Sequence, residues 1–80
     1  MKNQIETKII EIVSEQIGMD SSLVTSSSSY VELVGWDSLA TMRIAIAIEE
    51  EFSIMLTMDE LIRIDSVQRI LSIVIAKTLP

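Results

Sequence analysis

Apolar residues recur at helical spacing near the start of the chain, and charged side chains fill the positions between them. The apolar positions are Ile5, Ile9, Ile12, Val13 and Ile17. Gly18 follows directly, and glycine is the residue most often found just past the end of a helix. The pattern therefore predicts a first helix over residues 3–17.

Residues 19–36 show no sustained period and are rich in serine, which competes with the backbone for hydrogen bonds and favours turns. Apolar residues interrupt this stretch at Leu23, Tyr30, Val31, Leu33 and Val34. We expect them to pin a long ordered loop onto the bundle, with one short helical turn over residues 30–34. Gly35 permits a tight or positive-φ backbone just before the next helix.

Asp37 is a good N-cap for a second helix that runs from Ser38 to about Phe52. Further on, Thr57 and Glu60 have the spacing of a capping box and predict a short third helix over residues 58–64.

Asp65 and Gln68 repeat the capping-box spacing before a last helix that ends near Thr78. Its apolar stripe consists of Val67, Ile70, Leu71, Val74 and Ile75. With no internal repeat and no domain boundary, the sequence predicts an all-α four-helix bundle forming a single domain over residues 1–80.

The second helix carries two apolar faces when its residues are placed at about 100° intervals. The first is a conventional core stripe of Thr41, Ile44, Ile48 and Phe52. The second lies almost opposite and consists of Leu39, Met42 and Ile46, flanked by Glu49 and Glu50. A peripheral helix cannot bury both faces in its own core. The second face is therefore either an exposed docking surface with an acidic rim or a patch covered by the long loop or the third helix.

Composition narrows the possible functions. The 80 residues include no Cys and no His, so the chain lacks disulfides, thiolate metal ligands and the commonest general base. This argues against an enzyme and against a metal site. The net charge of −6 repels nucleic acid and anionic lipid and attracts basic protein surfaces, unless it serves only solubility. No apolar run approaches the length of a membrane span and no signal peptide is present, so we expect a cytoplasmic protein.

Ser38 lies in the first turn of the second helix, where free backbone N–H groups and the helix dipole favour an attached phosphate. Neither His nor Lys lies beside it in the sequence, so its hydroxyl is a poor nucleophile by itself. Ser38 is therefore interpreted as the acceptor of a group, or alternatively as an ordinary serine at a helix start.

The segment from Asp37-Ser38-Leu39 to the acidic end Glu49-Glu50-Glu51-Phe52 resembles the second-helix signature of acyl carrier proteins. The upstream segments Val24-Thr25 and Tyr30-Val31-Glu32 and the downstream segment Asp65-Ser66-Val67-Gln68 also resemble that family. The resemblance thus spans nearly the whole chain, and it implies a four-helix bundle with a short third helix.

The resemblance also implies a function. Ser38 matches the serine that receives 4′-phosphopantetheine from coenzyme A through a separate phosphopantetheinyl transferase, with Asp37 and Leu39 beside it contributing to the binding of this group. The thiol of the arm would then carry an acyl group between acyl-loading and acyl-processing enzymes with basic docking surfaces. The residues expected to contact these partners are Leu39, Met42, Arg43, Ile46, Glu49 and Glu50. We expect a monomer that binds neither nucleic acid nor membrane.

Four positions depart from the pattern of carriers in fatty-acid synthesis. Ala40 and Arg43 stand where acids are usual, Trp36 where a small or aliphatic residue is usual, and Leu33 where Asp is common. These departures favour a carrier dedicated to a polyketide, hybrid nonribosomal or other specialised pathway. The alternatives are a peptidyl or aminoacyl carrier, an unmodified docking adaptor, and a regulatory domain phosphorylated at Ser38.

Overall fold

The computed structural model describes residues 2–29, 31–33 and 35–78. Within these residues the chain forms four α-helices: α1 (Lys2–Ile17), α2 (Ser38–Phe52), α3 (Met58–Ile62) and α4 (Val67–Thr78). A 3₁₀ turn, Ser21–Leu23, lies in the connection between α1 and α2. The predicted all-α four-helix bundle is confirmed. Of the helices described here, none is both long enough and apolar enough to cross a membrane.

Residues in the left-handed conformation end the first two helices. Gly18 has φ +72°, and the N–H of the next residue, Met19, donates to the Ser14 carbonyl at 2.9 Å. After α2, Ser53 adopts φ 54°, and the Ile54 N–H donates to the Glu49 carbonyl at 3.2 Å. Both ends have the Schellman arrangement, which supplies donors to the last carbonyls of a helix. The predicted role of Gly18 is confirmed.

The capping box before α3 is confirmed. The Glu60 N–H donates to the Thr57 hydroxyl, and the Glu60 carboxylate accepts from the Thr57 N–H at 2.8 Å. The helix ends at Ile62 rather than at the expected residue 64, because the chain turns at Arg63 and buries Ile64. No residue of α3 itself is buried.

The predicted capping box before α4 is wrong. The Ser66 hydroxyl, not the Asp65 carboxylate, accepts the first-turn N–H, from Arg69 at 3.1 Å. The Ser66 carbonyl also accepts from the Ile70 N–H. The cap therefore lies one residue later than expected, and Gln68 is exposed instead of reaching back to the cap. Because Arg69, the third residue of α4, has no side-chain acceptor for the backbone N–H of the Ser66 cap, no capping box forms.

The core lies between α1, α2 and α4. Its members are buried hydrophobic side chains, and those on helices are Ile9, Ile12, Val13, Ala40, Ile44, Ala45, Ile48, Val67, Ile70, Leu71 and Val74. Most of the predicted stripes are therefore buried. Ile5, Ile17, Phe52 and Ile75, at the edges of those stripes, are half-buried. The two buried alanines of α2, Ala40 and Ala45, were not predicted as core, and their small side chains allow α2 to lie close to its neighbours.

The anchors of the long loop differ from the prediction. Leu23 and Val31 are 60% and 74% exposed and do not pin the loop, whereas Leu33 packs half-buried against the core. Val24 and Ser28 do the anchoring: Val24 is buried, and the Ser28 carbonyl accepts from the Val67 N–H at the start of α4. Tyr30 and Val34, which bound the expected helical turn, lie outside the described residues. Between them, the N–H groups of Glu32 and Leu33 both donate to the Ser29 carbonyl, which forms a hydrogen-bonded turn.

Candidate functional site at the start of α2

Ser38 is the first residue of α2 and its side chain is exposed. The N-cap Asp37 has extended backbone angles, and its carboxylate accepts from the Ala40 N–H at 2.8 Å. The predicted cap is confirmed. The first intrahelical bond runs from the Thr41 N–H to the Asp37 carbonyl, so the N–H groups of Ser38 and Leu39 precede the helical hydrogen-bond pattern. A phosphate linked to the Ser38 hydroxyl would meet this electropositive end of the helix.

A second set of hydrogen bonds ties this helix start to the core. The Trp36 side chain is only 3% exposed, and its indole N–H donates to the Thr41 hydroxyl at 3.1 Å. The Thr41 hydroxyl in turn donates to the Asp37 carbonyl at 2.9 Å. Asp37, the residue before Ser38, is therefore held through both its carboxylate and its carbonyl.

An open groove of about 490 Å³ begins beside Ser38. The start of α2 forms one wall, and the end of α3 with the segment that connects it to α4 forms the other. The lining residues are Asp37, Ser38, Thr41, Met42, Ile62, Ile64 and Asp65. Its walls combine apolar side chains with two carboxylates, of which Asp37 is engaged in the cap. The groove therefore suits an elongated, mostly neutral chain better than a free anion.

The second apolar face of α2 is exposed. Leu39, Met42 and Ile46 are 59%, 53% and 53% exposed, while Ile44 and Ile48 on the opposite side are fully buried. Neither the described part of the long loop nor α3 covers this face. The alternative of a covered patch is therefore wrong, and the exposed face remains available for contact with another molecule.

Three charged residues were expected around this face, and the structure separates them. Arg43 is exposed one turn after Leu39 and one turn before Ile46, and at about 100° per residue it lies at the edge of the face, about 40° beyond Leu39. Glu50 is exposed one turn after Ile46. Glu49 is half-buried, and its carboxylate accepts from the Leu56 N–H at 2.9 Å, so it holds the loop between α2 and α3.

The sequence did not identify every residue around Ser38. Ile62, Ile64 and Asp65 line the groove but come from a segment far along the chain, and no local pattern places them there. The roles of Trp36 and Thr41 were also missed. For Thr41 a signal existed, because a threonine four residues after a helix cap can donate back to the cap carbonyl.

The described residues contain no group of three or more potential His, Cys, Asp or Glu metal ligands. The geometry thus comprises an accessible hydroxyl on a fixed helix start, an adjoining groove and an exposed apolar face. A family model for the phosphopantetheine attachment site matches residues 7–74, which include all three of these features.

Proposed function

This chain belongs to the phosphopantetheine-attachment family, whose members are non-catalytic carriers that hold 4′-phosphopantetheine covalently, and we propose that Ser38 is its attachment residue. The observation that best supports this proposal is the exposed hydroxyl of Ser38 on the first residue of α2. It follows directly after the N-cap Asp37, which is fixed by its hydrogen bond. In the transfer, the Ser38 oxygen bonds to the phosphorus next to the pantetheine. The phosphoanhydride bond of coenzyme A breaks, and the nucleotide leaves. The hydroxyl proton goes to a base of the transferase, because no His or Lys adjoins Ser38 in the sequence.

The residues around Ser38 fit this group. The phosphodiester would lie at the N-terminus of α2, and the neutral amide-containing arm has the adjoining groove beside it. Asp37 and Leu39 contribute unequally: Asp37 fixes the backbone through its cap, and Leu39 presents an exposed apolar side chain next to the attachment point. The bound thiol then supplies the thioester chemistry that the protein's own side chains lack.

Intact mass tests the attachment. After incubation with coenzyme A and a promiscuous phosphopantetheinyl transferase, the protein should gain the mass of one phosphopantetheine, and Ser38→Ala should gain nothing. The chain offers a matched control at Ser21, an exposed serine that also begins a helical turn directly after an aspartate cap, Asp20. Ser21→Ala should accept the group normally. A wild-type protein that stays unmodified beside a known carrier would refute the proposal and leave an unmodified adaptor or a phosphorylated regulatory domain.

The cargo that we propose is an acyl group, in a specialised polyketide or hybrid pathway or in fatty-acid synthesis. The acidic end of α2 and the exposed face made by Leu39, Met42 and Ile46 support a role in delivery to partner enzymes. Mass spectrometry of the thioester on protein purified from its own host tests this. A peptidyl or aminoacyl thioester would instead assign the chain to a nonribosomal peptide pathway. The proposal includes a monomer that acts in the cytoplasm.

We propose that Arg43 helps to determine which partner enzymes dock on the exposed face of α2. It places a positive charge at the edge of the exposed face, whereas Glu50 supplies a negative charge one turn beyond Ile46. A cognate enzyme should therefore offer an acid opposite Arg43 and a base opposite Glu50, because complementary charges speed encounter and suppress wrong partners. Glu49 is a weaker contact candidate, since its carboxylate already binds the Leu56 N–H.

Loading by enzymes of generic fatty-acid synthesis tests the role of Arg43. Arg43→Glu should increase the loading rate, because it removes the charge that opposes a basic docking surface. Arg69→Glu is the matched control, since Arg69 is exposed on α4 and the change in net charge is the same. Equal rates for both variants would mean that only the overall charge matters and would contradict the proposed role.

A further inference from the structure

Within the described residues, no contact of its own side chain fixes the orientation of the Ser38 hydroxyl. Within the described part of the chain, no hydrogen bond to this hydroxyl is found, and the side chain is exposed. Its location relative to a docked enzyme therefore depends on the backbone of the first turn of α2. That backbone continues directly from Asp37, so whatever fixes Asp37 also fixes the backbone position from which the reacting oxygen extends.

Asp37 receives two kinds of support. The first is ordinary capping, in which its carboxylate accepts from the Ala40 N–H at 2.8 Å. The second is the relay in which the buried Trp36 indole N–H donates to the Thr41 hydroxyl at 3.1 Å and that hydroxyl donates to the Asp37 carbonyl at 2.9 Å. The relay joins a ring packed in the core to the residue that precedes Ser38.

Helix formation does not require this relay. The cap alone satisfies a first-turn N–H, and the Thr41 N–H already donates to the Asp37 carbonyl at 2.9 Å. Thr7 in α1 makes the same backbone-directed bond, to the Asn3 carbonyl at 2.8 Å, on an exposed helix surface. Such bonds by themselves add little stability and tend to bend a helix. At Thr41 the same hydroxyl also links the start of α2 to the core, because it accepts from the Trp36 indole N–H.

We propose that Trp36 and Thr41 are positioning residues that hold Ser38 in the orientation needed for transfer of phosphopantetheine. The proposal rests on the proposed function of Ser38 as the acceptor. Thr41 lines the same groove as Ser38, so a shift of its side chain also changes the space beside the attachment point. The docking face lies on other residues, so the relay sets the reacting geometry rather than the strength of docking.

The test measures transferase kinetics with the protein as the varied substrate. Trp36→Phe removes the indole donor but keeps an aromatic ring in the core, and Thr41→Val removes the hydroxyl but keeps the shape of the side chain. Each should lower kcat by about ten-fold, because a misplaced nucleophile loses near-attack geometry. KM for the carrier should stay within about two-fold, because docking contacts are retained.

Two further variants separate positioning from general stability. Thr41→Ser keeps the hydroxyl and should restore kcat to near the wild-type value. Thr7→Val removes the corresponding bond in α1 and should leave kcat unchanged. Circular dichroism at the assay temperature establishes the folded fraction of each variant, so that any loss from unfolding is subtracted. If Thr41→Val does not fold, Trp36→Phe decides the question.

The indole signal gives a readout independent of transfer. The chain has one tryptophan, so its indole N–H gives a single nitrogen–proton correlation in the NMR spectrum. This proton should exchange slowly in the wild type and in Thr41→Ser, and quickly in Thr41→Val. Wild-type kcat in both Trp36→Phe and Thr41→Val, or a loss confined to KM, would overturn the positioning role. A wild-type protein that accepts no phosphopantetheine would overturn the proposed function instead.

Discussion

Glu49 and Glu50 are adjacent acids with different roles, and replacing each by alanine should separate structure from docking. The Glu49 carboxylate accepts from the half-buried Leu56 N–H at 2.9 Å and so holds the connection from α2 to α3. Glu50 is exposed and borders the apolar face of α2. Each substitution changes the net charge from −6 to −5, so long-range electrostatics change equally in the two variants.

The magnitude follows from the bond that is lost. A hydrogen bond to a charged group contributes about 1.5–3 kcal/mol, and Glu49→Ala also leaves a half-buried N–H without its acceptor. We expect the free energy of unfolding to fall by about 2 kcal/mol, which for a domain of this size lowers Tm by about 10 °C. Glu49→Gln keeps a neutral acceptor and should lose about half as much. Glu50→Ala should stay within about 0.5 kcal/mol of the wild type.

Urea unfolding followed by circular dichroism measures these free energies, and stopped-flow binding to a basic partner enzyme measures encounter. Glu50→Ala should slow association at low salt while leaving Tm unchanged, because rim charges act mainly on the association rate. Glu49→Ala should lower Tm, with a smaller effect on association at a temperature where the protein is folded. Equal stabilities of the two alanine variants would refute the structural role assigned to the Glu49 carboxylate.

Three further predictions concern the backbone and pH. Ser53→Gly should raise the free energy of unfolding by about 1 kcal/mol in urea titration, because φ 54° strains a residue that has a Cβ atom; an unchanged value would contradict this strain. Gly18→Ala and Gly35→Ala both place alanine at positive φ. In the same titration, the free energy of unfolding should fall by about 1 kcal/mol for Gly18→Ala and by about 3 kcal/mol for Gly35→Ala. The difference arises because a Cβ at position 35 would lie 2.9 Å from a backbone oxygen of α1, whereas position 18 is open; equal losses would count against it. The Thr57 N–H, and then Lys77, lower the pKa of Glu60 below its ordinary value of 4.5, while partial burial opposes them. The lowered pKa stabilises the fold above pH 4.5, and this contribution is lost as pH falls through the folded-state pKa. The protection of α3 amides against exchange, relative to the intrinsic rate at each pH, should therefore fall with acid in the wild type and depend less on pH in Glu60→Gln.

Periodicity predicted the parts of this fold that depend on neighbouring residues along one helix. The two faces of α2 could be separated because Ile44 and Ile48 differ by nearly half a turn from Leu39 and Ile46, and burial follows that division. The caps at Asp37 and Thr57 were also predictable, since each cap bonds to a residue three positions further on. The proposed acceptor role of Ser38 depended on the family resemblance as well, because a serine at a helix start is common.

Contacts between distant segments could not be predicted in this way. Composition cannot tell that Val24 is buried while Leu23 beside it is exposed, because the turn after α1 decides which of two adjacent side chains points inward. The cap of α4 shows the same limit: Asp65 and Ser66 are both good caps, and the choice falls to Ser66. The bond from the Val67 N–H to the Ser28 carbonyl fixes the chain at that point from a remote part of the loop.

The helix that is held most weakly in the bundle, α3, lies beside Ser38, the proposed attachment residue. Helix α3 contributes no buried residue of its own, and Met58 and Ile62 are 75% and 77% exposed. Besides the half-buried Leu61, which packs against the core, polar contacts hold it in place: its capping box, the bond from Glu49 to the preceding loop, and the Glu60–Lys77 ion pair at 3.1 Å. Segments with few buried apolar contacts open at lower free-energy cost than a packed core.

Ser38 therefore lies between two regions of unequal stability. On one side, α2 is anchored by Ile44 and Ile48 in the core, and the Trp36 relay fixes its first turn. On the other side, Ile62 forms part of the groove wall on the weakly held α3. Movement of α3 would widen or close the groove without displacing the Ser38 backbone. The arrangement would thus allow the proposed attachment point to remain fixed for an enzyme while the space beside it adapts to different cargoes on the arm.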